Sequence, residues 1–119
     1  MAVQAETREI KAEARHVRVS PQKARLVVDM IRGAQVNQAR ITLRTVNKRI
    51  APAIEKVLNS AIANAQNINE NVDVDALYVS TAYVNEGSRQ KRVRPAPMGR
   101  AYRYQRRTSH IIVKVTEKA

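Results

Sequence analysis

Hydrophobic and charged residues alternate along residues 8–19, near the start of the chain. Ile10, Ala12 and Ala14 fall on one side of this stretch, and the residues between them are charged. Strict alternation is typical of a strand with one buried face and one solvated face. The pattern therefore predicts a first β-strand over residues 8–19.

The period then changes to that of a helix. Ser20 is placed as an N-cap and Pro21 as the first helical residue, because proline lacks only an N–H that would be unpaired there. The helix is expected to run to Arg32, where Gly33 can end it in a left-handed conformation. Its buried stripe is predicted to be Leu26, Val27, Met30 and Ile31.

Two further helices follow. Asn37 can cap a short one, whose apolar face is predicted to be Val36, Ala39, Leu43 and Val46. A third begins near Ile50, with Pro52 in its first turn, and it ends in an asparagine-rich segment that contains Asn64, Asn67, Asn69 and Asn71. Its predicted stripe is Ile50, Ile54, Val57, Leu58, Ala61 and Ala65.

Residues 76–84 and 109–116 read as two more strands, and the insert between them is strongly basic. Residues 86–107 hold eight of the 22 basic side chains and one acid, Glu86. If the flanking strands pair, the insert is a hairpin that projects beyond the sheet. Pro95 and Pro97 break the ladder and place the tip at about 89–98, bracketed by Gly87 and Gly99.

The element order predicts an α+β fold, in which a small antiparallel three-stranded sheet is packed with three helices and carries a long protruding β-hairpin. Neither an internal repeat nor a linker divides the chain. We therefore expect a single domain over residues 1–119. Its globular part should span about 8–85 and 108–117, and its hairpin about 86–107.

The composition indicates a polyanionic partner. The formal net charge is +12, with 15 Arg and seven Lys, and the only aromatic residues are four Tyr. Arginine binds phosphate in a bidentate fashion and stacks on bases, whereas so few aromatic rings disfavour a protein that stacks successive bases of a single strand. The N-terminal residues lack a secretory signal and no apolar run could cross a bilayer, so a cytoplasmic protein is expected.

Catalytic chemistry has little support in the sequence. The chain has no cysteine, its two histidines are far apart, and its ten acids are scattered. Asp73 and Asp75 could ligate a cation, but solvation of a turn explains them more simply. There is no glycine-rich phosphate loop with a lysine. We therefore expect no enzyme, no cofactor and no metal site.

The basic insert admits several interpretations. A solvated loop is the usual fate of a run of charges, but this run lies between strands and contains rigid prolines. A membrane-surface helix is excluded by the same prolines. A DNA-architectural protein remains an alternative, since ribbons and proline wedges can enter DNA grooves. Basic residues on several faces favour a protein enclosed by folded RNA over one docked on a single groove, and another kind of RNA-binding protein also remains an alternative.

Several segments resemble the bacterial-type ribosomal protein L22 family of the large subunit. The most specific are His16-Val-Arg-Val-Ser-Pro-Gln-Lys-Ala-Arg-Leu-Val-Val-Asp-Met-Ile-Arg-Gly33 and Arg106-Arg-Thr-Ser-His-Ile-Ile-Val-Lys-Val115. Residues 56–65, 82–87, 91–95 and 99–101 match as well, so the resemblance covers about residues 10–117. It implies a structural constituent of the large ribosomal subunit, located in cytoplasmic ribosomes, whose hairpin lines the nascent polypeptide exit tunnel.

The resemblance also implies partners and sites. The partners are large-subunit ribosomal RNA of the 23S type, neighbouring ribosomal proteins, the nascent polypeptide and macrolide antibiotics near the tip. The residues expected to bind ribosomal RNA are Arg18, Ser20, Gln22, Lys23, Arg25, Arg32, Lys91, Arg92, Arg94, Arg100, Arg103, Arg106, Arg107 and His110. The tunnel-lining tip is expected to comprise Arg89, Gln90, Lys91, Arg92, Val93, Arg94, Pro95, Ala96, Pro97 and Met98.

The tip departs from the common pattern of that family. Ala96 stands where an arginine is frequent, and Met98 stands where a basic residue is frequent. Residues 95–99 consequently carry no charge, although basic residues lie on both sides of them. The sequence predicts two basic arms that hold a stiff, uncharged end.

Overall fold

Three antiparallel strands form one sheet in the order β1-β3-β2, where β1 is Ile10–Val17, β2 is Leu77–Pro95 and β3 is Ala101–Glu117. The computed structural model describes residues 9–68 and 70–117. Helices α1 (Pro21–Ile31), α2 (Val36–Thr45) and α3 (Ala51–Ile68) lie between β1 and β2 in the chain. This arrangement confirms the predicted α+β class, with three helices and a three-stranded antiparallel sheet.

The first strand is shorter than the alternation predicts. Its register with β3 slips between Ala14 and Val17, and His16 takes a left-handed φ of 57° at this irregularity. The strand ends at Val17, because the N–H of Val19 turns back to the carbonyl of Val17 at 2.8 Å. The expected start at residue 8 lies outside the described residues, as does Asn69 beyond α3.

The core is aliphatic and lies between the helices and one face of the sheet. Every residue of the predicted α3 stripe is buried, and Ile62 joins them. On β3, Ile111, Val113 and Val115 face this core. The second helix buries Val36, Ala39 and Leu43, whereas Val46 is only partly buried against them.

The predicted stripe of α1 is wrong at two positions. Leu26 and Met30 are 57% and 52% exposed, whereas Ala24 and Val28 are fully buried beside Val27 and Ile31. The helical turn of about 100° per residue directs positions 24, 27, 28 and 31 at the sheet and turns position 26 away from them. Because Ala24 is small and only weakly hydrophobic, the sequence pattern did not indicate that it belongs to the buried face.

The helix ends also differ in part from the prediction. Gly33 does terminate α1 with φ 79°, and its N–H binds the carbonyl of Val79 at 2.9 Å. The side chain of Ser20 makes no capping hydrogen bond. At α2, the cap is Gln35 rather than Asn37, because Oε1 of Gln35 accepts the N–H groups of Asn37 and Gln38 at 3.1 and 3.2 Å.

The hairpin is paired much further out than the sequence indicates. Seven register pairs continue from Arg89–Arg107 to Pro95–Ala101. The expected tip at about 89–98 is therefore wrong in extent, and the turn itself comprises only residues 96–100. Pro95 ends the ladder without interrupting it. The chain then reverses through two left-handed residues, Met98 at φ 65° and Gly99 at φ 69°.

A bulge marks the place where the hairpin leaves the globular part. The register of β2 against β3 shifts between Glu86 and Arg89. Gly87 does not bracket the tip as expected but lies at this bulge, where an added Cβ would fall 2.4 Å from Oγ1 of Thr108. The same hydroxyl donates a hydrogen bond to the carbonyl of Ser88 at 2.7 Å. The close approach of strand to strand explains the glycine.

Candidate nucleic-acid interface

The two faces of the hairpin stem differ in chemistry. Paired residues of an antiparallel ladder share a face, and successive residues alternate between faces. One face carries Gln90, Arg92, Arg94, Tyr102, Tyr104 and Arg106, and the other carries Arg89, Lys91, Val93, Arg103, Gln105 and Arg107. Both faces are cationic, but both tyrosines of the stem belong to the first.

The tyrosine-bearing face borders an open groove of about 1070 Å³ between the stem and the globular part, and Gln105 and Arg107 of the other face also line this groove. Three distant segments build the walls of this groove: residues 18–26, residues 48–50 and the stem residues 90–92 and 104–108. Seven lining side chains are basic and none of the described lining residues is acidic; the basic ones are Arg18, Lys23, Lys48, Arg49, Arg92, Arg106 and Arg107.

The groove also has apolar surface between its cations. Val19, Leu26 and Ile50 line it from the globular side. From the stem, Tyr104 contributes a ring that lies 5.1 Å from the guanidinium carbon of Arg106. Arg92 donates to Oε1 of Gln90 at 3.0 Å on the same face of the stem. The site thus combines phosphate-binding groups with a surface that an aromatic ring could cover.

Two arginines expected at the interface are engaged within the protein. Nε and Nη2 of Arg25 donate to the carbonyl of Val84 at 3.2 and 3.1 Å, and those of Arg32 donate to the carbonyl of Ala82 at 3.1 and 2.7 Å. Because β2 is an edge strand, these carbonyls have no partner strand. The two side chains close an edge that could otherwise pair with another chain.

The other expected residues occupy different surroundings. Arg18, Ser20 and Lys23 lie in the groove with Arg92, Arg106 and Arg107, whereas Gln22 is exposed on α1 outside it. Lys91 and Arg103 lie on the opposite face of the stem, and Arg94 and Arg100 lie near the turn. The structure thus brings together six of the fourteen expected residues in one groove.

His110 is held by the other histidine of the chain. The main-chain N–H of His16 donates to Nδ1 of His110 at 3.2 Å, and the two rings meet edge to face at 4.9 Å between centroids. Nδ1 is thereby occupied as an acceptor, which leaves the Nε2 edge of His110 for an external partner. The bulge at His16 joins two residues that the sequence separates by 94 positions.

Lys48 and Arg49 are further candidates for RNA binding, and they are not among the fourteen residues predicted from the sequence. They lie in the connection between α2 and α3, which packs beside the start of α1 and faces the stem. Their local signal was weak, because two adjacent basic residues in a loop are common. Only the tertiary arrangement brings them opposite Arg92 and Arg106.

The one acid of the hairpin is neutralised at its base. Nη2 of Arg89 lies 2.8 Å from Oε2 of Glu86, and this hydrogen bond, with the charges of Arg107 and Arg25 nearby, holds the pKa of Glu86 below its ordinary value. Glu86 therefore stays ionised near neutral pH and offsets Arg89. The remaining cations of the stem have no acidic partner among the described residues.

Other kinds of site find no support among the described residues. No group of three metal-ligating side chains occurs in residues 9–68 and 70–117. In the same part of the chain, no helix is both long and apolar enough to cross a bilayer.

A cationic groove that continues into a projecting basic hairpin defines a nucleic-acid-binding protein. Residues 12–116 match the family model described as ribosomal protein L22p/L17e, and the chain belongs to this family. The family is one of structural ribosomal proteins, so the chain is a ribosomal component whose partners are ribosomal RNA and proteins.

Curated relatives cover nearly all of the chain. A protein of Solibacter usitatus (strain Ellin6076), named "Large ribosomal subunit protein uL22", is 76% identical over 92% of this chain and 97% of its own length. Proteins of the same name from Koribacter versatilis (strain Ellin345) and Oceanobacillus iheyensis are 54% and 53% identical over 92% and 91% of this chain, which corresponds to 68% and 95% of their own lengths.

Proposed function

We propose that this chain, which belongs to a family of structural constituents of the large ribosomal subunit, binds large-subunit ribosomal RNA through its groove and its hairpin stem. The observation that carries the proposal is the groove, in which seven basic side chains from three segments converge without an acid. Such a surface attracts a phosphate backbone, and each neutralised phosphate releases counterions. The function is one of scaffolding, without catalysis or a cofactor, in cytoplasmic ribosomes.

Within that function, the basic residues have two roles. Arg18, Lys23, Arg92, Arg106 and Arg107 contact RNA in the groove, joined by Lys48 and Arg49. Ser20 and the exposed Gln22 offer hydrogen bonds beside them, while Lys91 and Arg103 meet RNA on the other side of the stem. Arg25 and Arg32 act within the protein, because their guanidinium groups already bind the carbonyls of β2.

The hairpin tip has a separate role, which is to line the nascent polypeptide exit tunnel. Met98 is 94% exposed at the turn, and residues 95–99 carry no charge. An uncharged turn has no strong attraction for phosphate, so the basic stem can bind RNA while the turn remains in the tunnel space. We propose that the turn lies next to the nascent chain and to macrolide antibiotics. Arg94 and Arg100 lie beside the tunnel wall.

A shortened hairpin tests this division. Val93 and Arg103 are register partners, so residues 94–102 can be replaced by an Asn-Gly turn that closes the ladder between them. None of the removed residues belongs to the core. We expect a folded protein that still sediments with large subunits at moderate salt, while crosslinks from the nascent chain to this protein are lost.

Two results would contradict the proposal. Unfolding of the shortened protein would show that the outer hairpin is needed for the core. Recovery of the intact chain with chromosomal DNA, rather than with large subunits, would indicate a DNA-architectural protein.

A further inference from the structure

We propose that the groove binds an unpaired nucleotide of the RNA, with its base covering the apolar surface around Leu26, and not a continuous duplex. The inference rests on the proposed function, because it names the form of RNA that this same groove accepts. It follows from a second property of the groove beyond charge, which is the position of its apolar side chains.

Leu26 is an apolar residue of α1 that lines the groove. It is 57% exposed although it sits in the middle of a helix whose buried face is otherwise well formed. It lines the groove with Val19 and Ile50, and Lys23 lies one turn before it on the same helix. A leucine in this position gains nothing from a phosphate backbone, whereas the flat face of a base would remove it from water.

Tyr104 lies across the groove from Leu26, on the stem. It is half-buried, and the guanidinium carbon of Arg106 lies 5.1 Å from the centre of its ring. Unpaired bases of RNA are recognised by stacking on aromatic rings and arginine planes, and a paired base within a helix has no free face to offer. The groove therefore presents an apolar surface from the globular part, an aromatic ring from the stem, and cations around them.

The chain supplies a matched control for each of these residues. Met30 lies one turn beyond Leu26 on α1 and is 52% exposed, but it does not line the groove. Tyr102 precedes Tyr104 by two residues on the same face of the stem, is 62% exposed, and is also outside the groove. Comparing Leu26 with Met30, and Tyr104 with Tyr102, shows whether an effect comes from losing any exposed apolar side chain or from losing one that lines the groove.

The experiment measures binding of the full chain to full-length large-subunit ribosomal RNA, transcribed in vitro, over a series of salt concentrations. Leu26→Asn and Tyr104→Ala should each weaken binding about fivefold or more, the range seen when one base loses a stacking partner. Their salt dependence should match the wild type, because no phosphate contact is lost. Met30→Asn and Tyr102→Ala should bind as the wild type does.

A groove cation provides the contrasting readout. Arg49→Gln should weaken binding and lower the slope of log affinity against log salt by about one. If Arg49→Gln behaves so while Leu26→Asn and Tyr104→Ala equal their controls, the groove binds phosphates only, and the inference is overturned although the proposed function survives.

Two other outcomes complete the test. If the wild type binds ribosomal RNA no better than an unrelated RNA of equal length, the proposed function itself fails. If the variants bind RNA normally in isolation, yet Leu26→Asn alone reduces incorporation into subunits, then a neighbouring protein occupies the groove and the inference is wrong. The temperature of thermal unfolding is compared within each pair: Leu26→Asn and Met30→Asn should lower it by similar small amounts, because asparagine is a poorer helix former than leucine or methionine, and every variant should remain folded at the temperature of the binding measurement.

Discussion

Two buried hydroxyl groups of β3, at Ser109 in the middle of the strand and at Thr116 near its end, have opposite energetic roles. Oγ of Ser109 donates to the carbonyl of Val19 at 2.7 Å and thereby fastens the chain that follows β1 to β3. Oγ1 of Thr116 is buried and has no hydrogen-bond partner among the described residues. A buried hydroxyl with a partner stabilises the fold modestly, whereas one without a partner costs the full desolvation of the group.

Substitution of each hydroxyl should therefore change stability in opposite directions. Thr116→Val keeps the shape of the side chain and removes the unpaired oxygen, so we expect the free energy of unfolding to rise by about 1 kcal/mol. Ser109→Ala should lower it by about 1 kcal/mol. Denaturant unfolding of the two variants measures both, and a loss of stability in Thr116→Val would show that its hydroxyl has a partner.

Two structural features fix the relative positions of the elements, and both are hard to recognise in the sequence. Arg25 and Arg32 attach α1 to the open edge of β2, and the bulge at Gly87 sets the direction in which the stem departs. The helices and strands were predictable from hydrophobic periodicity and from the prolines and glycines near their ends. The register shifts were not predictable, because bulges depend on how two distant segments meet.

The α1 arginines give a prediction for stability. Arg32→Ala removes two hydrogen bonds to the carbonyl of Ala82 and should lower the free energy of unfolding by about 1 kcal/mol, a modest value because the side chain is about half exposed. Lys23→Ala on the same helix is the control, and it should leave stability unchanged but weaken RNA binding. If both variants lose RNA affinity equally and Arg32→Ala keeps the stability of the wild type, then Arg32 belongs to the RNA interface.

The bulge gives a prediction for geometry. Gly87→Ala would place a Cβ against Oγ1 of Thr108 and 3.2 Å from its main-chain carbonyl group, so either the Thr108 side chain gives up its hydrogen bond to the Ser88 carbonyl or the strands move apart. We expect unfolding to become easier by about 1–3 kcal/mol, as overpacking usually causes, and incorporation into subunits to fall. Ser88→Ala, at the next and exposed position, serves as the control. Normal incorporation of Gly87→Ala would mean that the stem direction is set by RNA alone.

For the candidate site, the basic residues of the stem and the start of α1 were recognisable from charge and from the family resemblance. Lys48, Arg49 and Leu26 were not, since each became part of the groove only when the connection between α2 and α3 packed beside α1. The sequence-based prediction that Arg25 and Arg32 bind RNA did not include their hydrogen bonds to the carbonyls of Val84 and Ala82, which also depend on tertiary packing. A charged side chain gives no sign in the sequence of which carbonyl it will find.

The whole molecule is elongated, and its basic residues are distributed unevenly along the chain. Its principal extents are 73, 31 and 19 Å. Residues 57–88 contain no lysine or arginine and four acids, namely Glu70, Asp73, Asp75 and Glu86, although the chain carries a net charge of +12. The segment includes most of α3 and the connection to β2. RNA is therefore expected on the side of the groove and the hairpin, with α3 directed elsewhere.

Salt dependence tests this picture at the scale of the molecule. If all seven groove cations neutralise phosphates of a single-stranded segment, log affinity should fall with log salt at a slope of at least about 5, since each contact contributes about 0.7. Filter binding between low and moderate salt measures the slope. A slope below about 2 would mean that most of these cations face solvent in the complex.

Directed cleavage of ribosomal RNA shows which side of the protein faces the RNA, and it uses cysteines introduced singly into a chain that has none. Gln90→Cys lies on the groove face of the stem, and Ser60→Cys lies on the exposed side of α3. A tethered iron chelate that generates hydroxyl radicals is attached to each variant in assembled large subunits, and ribosomal RNA cleavage is mapped. Strong local cleavage is expected from position 90 and little from position 60. Equal cleavage from both, or stronger cleavage from position 60, would contradict this expectation.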